Sequence, residues 1–485
     1  MIQSNGRRRL DAPLLALLVL AGLVPASLVA STLARPSPGS GGEAPLVLGH
    51  VRFHQKISQT EGGFQGDLVD SGFFGTGAAP IGDLDGNGAP DLAIGYGGDN
   101  SLAGGSFWVL FLHPDGTVLA HQKVSTTEGG FTGTLEPFDG FGRRLAALGD
   151  VDGDGVPDLA VGARGDGTGG QDRGAVWILF LHPNGTVKAH QKIADGEGGF
   201  TGTLADGDEF GNSLAGVGDL DRDGVPDLVV GALFDDGMGS DRGALWVLFL
   251  NADGTVKAHQ KIGDGEGGFT GTLDDFDRFG WSVASLGDVD RDGVADLAVG
   301  AILDGEAGNA TGAVWILFLD TDGTVAAHQR INGTEGGFTG SLEHLDAFGA
   351  SVAPLGDLDC DGTRDLAVGA QNDNDGGSQR GAVWVLFLEP AGTVRMHTRI
   401  SDTSGSFTGE LDDGDFFGTS LAALGDLDGD GNVDLAAGAT GDDDGGSSRG
   451  AAWVLFLDGG GCFGAPIFAD GFESGDFSAW SAVGL

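Results

Sequence analysis

A nine-residue acidic stretch occurs six times in this chain, starting at Asp83, Asp150, Asp219, Asp288, Asp357 and Asp426. Its second copy reads Asp150-Val151-Asp152-Gly153-Asp154-Gly155-Val156-Pro157-Asp158, with carboxylates at positions 1, 3, 5 and 9 and glycine at 6. The starts lie 67, 69, 69, 69 and 69 residues apart. A period held that tightly means one structural unit copied along the chain, each copy burying its apolar face against the next. Any fold for this chain therefore has to set six acidic turns at equivalent points of six equivalent units.

The turns have the chemistry of a hard-cation site. Calcium takes roughly six to eight oxygen ligands, and alternating carboxylates in a tight loop point several oxygens at one centre. Glycine permits the sharp bend. The candidate ligands are Asp83, Asp85, Asn87 and Asp91 in the first loop, and Asp150, Asp152, Asp154 and Asp158 in the second. The third offers Asp219, Asp221, Asp223 and Asp227, the fourth Asp288, Asp290, Asp292 and Asp296. The fifth offers Asp357, Asp359, Asp361 and Asp365, the sixth Asp426, Asp428, Asp430 and Asp434. Converging carboxylates with no cation repel one another, so about six structural Ca²⁺ ions are expected. The loops are not EF-hands: Ile94 and Val161 stand where the twelfth position needs Glu, and strand-like runs follow instead of helices.

Between loops the pattern is that of strands. In the second copy a short strand runs from Arg144 to Gly149, and Leu159 to Ala163 leaves the loop. Ala175 to Leu181 is a continuous apolar run between turn signals, which fits a strand buried on both faces. Pro183-Asn184-Gly185 is a hairpin turn. The fourth strand, Thr186 to Ile193, alternates, with Val187, Ala189 and Ile193 expected on one side and Lys188, His190 and Lys192 on the other. Lysines on an outer strand blunt edge pairing. Each repeat is thus a four-stranded antiparallel sheet, and the expected fold is an all-β, six-bladed β-propeller. A fourth-strand signature, His54-Gln55-Lys56-Ile57, precedes the first loop, while the last repeat, residues 417–457, ends after its third strand. The N-terminal strand is therefore expected to complete the last blade and close the ring.

Phe-Gly stands nine residues before every loop (Phe74, Phe141, Phe210, Phe279, Phe348, Phe417), and Gly-Ala follows five of them at Gly162, Gly231, Gly300, Gly369 and Gly438, with Gly95-Tyr96 after the first. This combination resembles the FG-GAP repeat of integrin α-subunit propellers and their secreted bacterial relatives. The resemblance covers residues 46–457. It implies Ca²⁺ in the aspartate-rich loops and a role in adhesion or recognition. Two departures stand out: the family's proline after Gly-Ala is missing in every copy, and six blades replace the usual seven. No other integrin domain is seen.

Charge narrows the partner. The chain has 71 acidic against 25 basic residues, a net charge of −46, which argues against nucleic acid or an anionic membrane surface. Residues 1–34 read as a secretion signal: Arg7-Arg8-Arg9, an apolar run from Leu14 to Leu23, then small residues at Ala26, Ala30 and Ala34. Residues 35–45 read as a flexible linker, 46–458 as the propeller and 459–485 as a tail of unassigned role. The product is expected to be secreted or at the cell surface, with no membrane span once the signal is cleaved; an uncleaved anchor is the alternative.

Other repeated residues have structural explanations. Six tryptophans (Trp108, Trp177, Trp246, Trp315, Trp384, Trp453) are read as inter-blade core rather than a stacking ring for ligands. The histidines of the fourth strands (His54, His121, His190, His259, His328, His397) have no acidic neighbour at fixed spacing, which favours a structural role. The phenylalanines after them (Phe64, Phe131, Phe200, Phe269, Phe338, Phe407) are read as loop anchors, with sugar stacking the alternative. Arg164-Gly165-Asp166 spells an adhesion tripeptide by chance; Asp402 to Ser406 matches a von Willebrand A metal pattern without its α/β surroundings; Asn184, Asn309 and Asn332 open glycosylation sequons. No catalytic constellation is visible, so a non-enzymatic module for a protein or glycan ligand is expected, with a lectin or a propeller hydrolase or lyase as alternatives. The two cysteines, Cys360 and Cys462, are read as unrelated thiols; a disulfide pinning the tail across blades five and six is the alternative.

Overall fold

The computed structural model describes residues 47–97, 104–305 and 310–461. The signal and linker assigned to residues 1–45, the sequon at Asn309, Cys462 and the tail beyond it lie outside the described residues. The rest forms six four-stranded antiparallel sheets. Blade two shows the plan: Leu145–Gly149, Asp158–Ala163, Ala175–Leu181 and Val187–Ala194, paired in that order. The third strand is buried along its whole length, which is why its sequence is an unbroken apolar run rather than an alternating one.

The ring closes as the repeat count demands. Strand Val51–Ile57 pairs antiparallel with Ala451–Leu457 and is the outer strand of blade six. Near the axis the hydroxyls of Ser213, Ser282 and Ser351 each donate to a glycine carbonyl of the next blade, Gly280, Gly349 and Gly418, at 2.7–2.8 Å. Ser420 does the same to Gly75 at 2.8 Å, which joins blade six to blade one.

Between blades the repeated aromatics interlock. Phe131 stacks on Phe141 with centroids 4.7 Å apart, and meets Trp177 edge-on and His190, each at 5.1 Å. His190 Nε2 also bonds the Thr132 hydroxyl at 3.1 Å. All six of these phenylalanines and all six tryptophans are buried. They are core and loop anchors, and the histidines brace the same loops.

Two sequence expectations need correction. The fourth strand does not alternate from its first residue. Leu181 pairs with Val187 and Phe180 with Ala189, so Lys188 is an extra, bulged residue. The bulge turns Val187 onto the Trp177 face, whereas Ile193 packs with Val176 and Ile178 on the other. A bulge stands at the same place in every blade. Cys360, in turn, is not a free thiol but is held in a disulfide. The glycine run beyond blade six makes the approach: Gly460 N donates to Leu358 O at 2.7 Å and Gly461 N to Asn432 Oδ1 at 3.0 Å. The chain's other cysteine lies outside the described residues.

Candidate metal centres

Each acidic loop joins the first strand of a blade to the second, and backbone amides shape it before any ion is considered. In loop two, Asp150 at position 1 accepts the amides of Asp154 at 3.0 Å and Gly155 at 2.8 Å. Asp158 at position 9 accepts Val151 N at 2.9 Å and, across the sheet, Leu181 N at 3.1 Å. Asp154 at position 5 accepts Val156 N at 3.0 Å. The same bonds recur in loops one and three at Asp83, Asp91 and Asn87 and at Asp219, Asp227 and Asp223. They recur in loops four and five at Asp288, Asp296 and Asp292 and at Asp357, Asp365 and Asp361.

These bonds bring the carboxylates together. In each of loops one to four, positions 1, 3 and 9 offer oxygens within 4.8 Å of one another: Asp83, Asp85, Asp91; Asp150, Asp152, Asp158; Asp219, Asp221, Asp227; Asp288, Asp290, Asp296. In loop five the trio is positions 1, 3 and 5: Asp357, Asp359 and Asp361. At position 5 one oxygen caps the turn in loops one to five alike.

The donor set fits a divalent cation. Burial pushes the position 9 carboxyls up to about 7 in Asp91, Asp158, Asp227 and Asp296, and to about 8 in Asp365 and Asp434. A buried carboxylate beside like charges is costly unless a positive charge offsets it. In loop six, Oδ1 of Asp426 and Oδ1 of Asp434 are buried without a hydrogen-bond partner among the described residues. Several Asp clusters in the blades could thus bind metal ions. Hard, all-oxygen ligation of this kind suits Ca²⁺.

Two features of the structure escaped the sequence. The bulged residue of the fourth strand reaches the acidic loop of its own blade. Lys188 Nζ lies 2.9 Å from Asp152 and also pairs with Asp154; Lys257 lies 2.9 Å from Asp221 and pairs with Asp223. Arg395 lies 3.0 Å from Asp361 and pairs with Asp359, and Arg52 pairs with Asp428 and Asp430. The signal was a basic residue directly after the valine that opens the strand.

The second feature is on the other face, where the turns before Phe-Gly open. Three residues before the motif's Phe, every blade has a positive φ: Gly207 at 92° and Gly414 at 89°, but also Phe138 at 74°, Phe276 at 74° and Leu345 at 68°. The amides there dock on the preceding blade, Phe276 N to Ser240 O at 2.8 Å and Leu345 N to Ala310 O at 2.7 Å. The three bulky side chains point to solvent, 67 %, 53 % and 47 % exposed.

The decoy motifs are occupied. Arg164 pairs with Glu209 at 2.8 Å, and buried Asp166 with Lys192 at 2.7 Å. Asp402 pairs with Arg380 at 2.9 Å, and the Thr403 and Ser404 hydroxyls donate to Asp375. The central channel is a cavity of about 60 Å³ whose one titratable lining residue is Arg144, bonded to Thr76 O at 3.0 Å.

Comparison with known proteins agrees with this geometry. Residues 141–179, 210–248, 279–317, 348–386 and 417–455 match the FG-GAP repeat. The FG-GAP likeness thus falls on five of the six blades. The matched segments are the first three strands and acidic loop of blades two to six. Blade one, with Asn87 in its loop and Gly95-Tyr96 after it, has the same four-stranded sheet. The chain is similar to integrin alpha-5 of Xenopus laevis, 31% identical over 243 residues, which is 48% of this chain and 20% of that protein. It is similar to integrin alpha pat-2 of Caenorhabditis elegans, 30% identical over 267 residues, 52% of this chain and 19% of that protein. With human integrin alpha-IIb it shares 32% identity over 222 residues, 44% of this chain and 19% of that protein. The chain thus spans about a fifth of the length of these relatives.

Proposed function

We propose that the chain is a secreted, calcium-stabilised recognition or adhesion module of the bacterial FG-GAP type, and that it binds a protein ligand through the face opposite the acidic loops. The observation that carries this is the exposed set Phe138, Phe276 and Leu345. A left-handed backbone costs a bulky residue of order 1–2 kcal/mol relative to glycine. Glycine holds the same place in blades three and six, so folding alone gives no reason for phenylalanine or leucine. Apolar side chains kept exposed against a conformational cost are the candidates for partner contact. With a net charge of −46, the complementary partner presents apolar pockets with a basic rim. The loops, with Asp83 to Asp91 and their five counterparts as ligands, act as structural calcium sites. Residues 1–34 serve as a cleaved signal. Among the described residues no helix is long and apolar enough to cross a membrane.

The alternatives have less to stand on. The repeated Phe and Trp are buried, so they offer no sugar-stacking ring. The channel cavity of about 60 Å³ is far below the roughly 300 Å³ of a small-molecule site, which leaves a hydrolase or lyase no room in the central channel; a larger cleft, of about 500 Å³, lies beside Arg380, Asp402 and Glu410. The test is a binding screen of the calcium-loaded protein on a glycan array and on immobilised matrix proteins, repeated with a Phe138→Gly, Phe276→Gly, Leu345→Gly variant. The expected result is a protein ligand lost by a variant that melts no lower than wild type. Glycan binding alone would point to the lectin, and binding untouched by the substitutions would contradict the assigned face.

A further inference from the structure

The six acidic loops share one backbone plan but not one charge environment. In blades two, three, five and six the bulged residue is Lys188, Lys257, Arg395 or Arg52, and its cationic head reaches the carboxylates at positions 3 and 5 of the adjoining loop. In blades one and four the same bulge carries Leu119 and Ala326, which have no charge to offer. Their loops leave Asp85 with Asn87, and Asp290 with Asp292, without a cation from the fourth strand. Other cations nearby do not produce this division. Arg222 and Arg291 bond to carbonyls of loops four and five alike, at Gly293 and Gly362, and Arg364 lies beside both Asp288 and Asp357.

We infer that the loops form two classes of cation site, set by the residue in the fourth-strand bulge. Loops two, three, five and six carry a tethered cation that holds the turn together without metal and competes with a divalent ion for the same oxygens. Loops one and four have no such substitute and depend on the ion for their shape; loop four keeps all four aspartates and binds it most tightly, whereas Asn87 leaves loop one with three, the same net ligand charge as four aspartates less one tethered cation. A positive charge a few ångströms from a bound divalent ion opposes it directly, and site affinity follows the count of uncompensated ligand charges. The bulge is the device: it adds one residue to the strand and so aims that side chain at the loop rather than along the pleat.

This inference rests on the loops being calcium sites, and the experiment separates the two claims. The full chain is stripped with chelator and titrated with Ca²⁺ by calorimetry. One site, loop four, is expected to bind more tightly than the other five, with dissociation constants about tenfold apart or more. Lys188→Met removes the charge but keeps the apolar stem, and should move loop two into the tight class. Ala326→Lys, at the solvent-exposed bulge of blade four, should bring loop four down to the affinity of the others. Six equivalent sites, or substitutions that leave the division unchanged, would overturn the two-class assignment while leaving calcium binding intact. No calcium uptake at all would overturn both.

Discussion

Two residues before the Phe-Gly pair, blades two to six bury an aspartate: Asp139, Asp208, Asp277, Asp346 and Asp415. Each accepts a backbone amide three residues upstream at 2.6–2.8 Å. In blade one the place is Gly72, and the hydroxyl of Tyr96 accepts the equivalent amide of Val69 at 2.7 Å. Hence Gly95-Tyr96 stands where other blades have Gly-Ala, a pairing not readable from either residue alone. Burial pushes the carboxyl up to about 7 in Asp277 and about 6 in the other four. The unfolded carboxyl titrates near pH 4. These groups therefore add stability fully below about pH 4 and lose it as the pH rises through 6 to 7. Asp208→Asn keeps the acceptor but not the charge. Relative to wild type it should gain about 2 kcal/mol on going from pH 4 to pH 8, read from urea unfolding at both values. Parallel pH profiles would contradict the assignment. A second residue is sterically fixed: a Cβ on Gly133 would lie 2.3 Å from Phe131 Cζ. Gly133→Ala should cost about 2 kcal/mol or more, visible as a lower urea midpoint; an unchanged midpoint would mean the Phe131 anchor is looser than described.

At the scale of the element, most of the architecture was legible. The apolar run Ala175–Leu181 is an inner strand and the Asn184-Gly185 turn lies between strands three and four. The bulge at Lys188 was not legible, because a bulge breaks period-two alternation by one residue and nothing local announces it. The acidic loops were recognised, but not which of their oxygens converge: positions 1, 3 and 9 in loops one to four, and positions 1, 3 and 5 in loop five. The disulfide at Cys360 is a tertiary feature that spacing does not encode. The N-terminal strand was legible because it repeats the His-Gln-Lys signature outside its expected place. Deleting residues 47–57 would remove the outer strand of blade six, its pairing with Ala451–Leu457 and the Arg52 contacts to loop six. The exposed edge should drive self-association, seen by light scattering. A monomer with an unchanged melting temperature would mean that the strand does not close the ring.

For the whole molecule, the 69-residue period dictates a ring in which each blade is held by its neighbours, so a local loss is felt across the seam. The exposed set Phe138, Phe276 and Leu345 was hidden in the sequence, because nothing in the residue types shows that the backbone is left-handed at these turns. The central claim is that the acidic loops hold cations in the native state alone. Ligands that bind only the folded form stabilise it by mass action, about 3 kcal/mol per site at a hundredfold excess over Kd, and several sites act together here. Thermal unfolding of the full chain by calorimetry, in chelator and then in excess Ca²⁺, is the direct measurement. The account predicts a much lower Tm in chelator, restored by Ca²⁺ and rising with its concentration. A Tm that ignores both would contradict it.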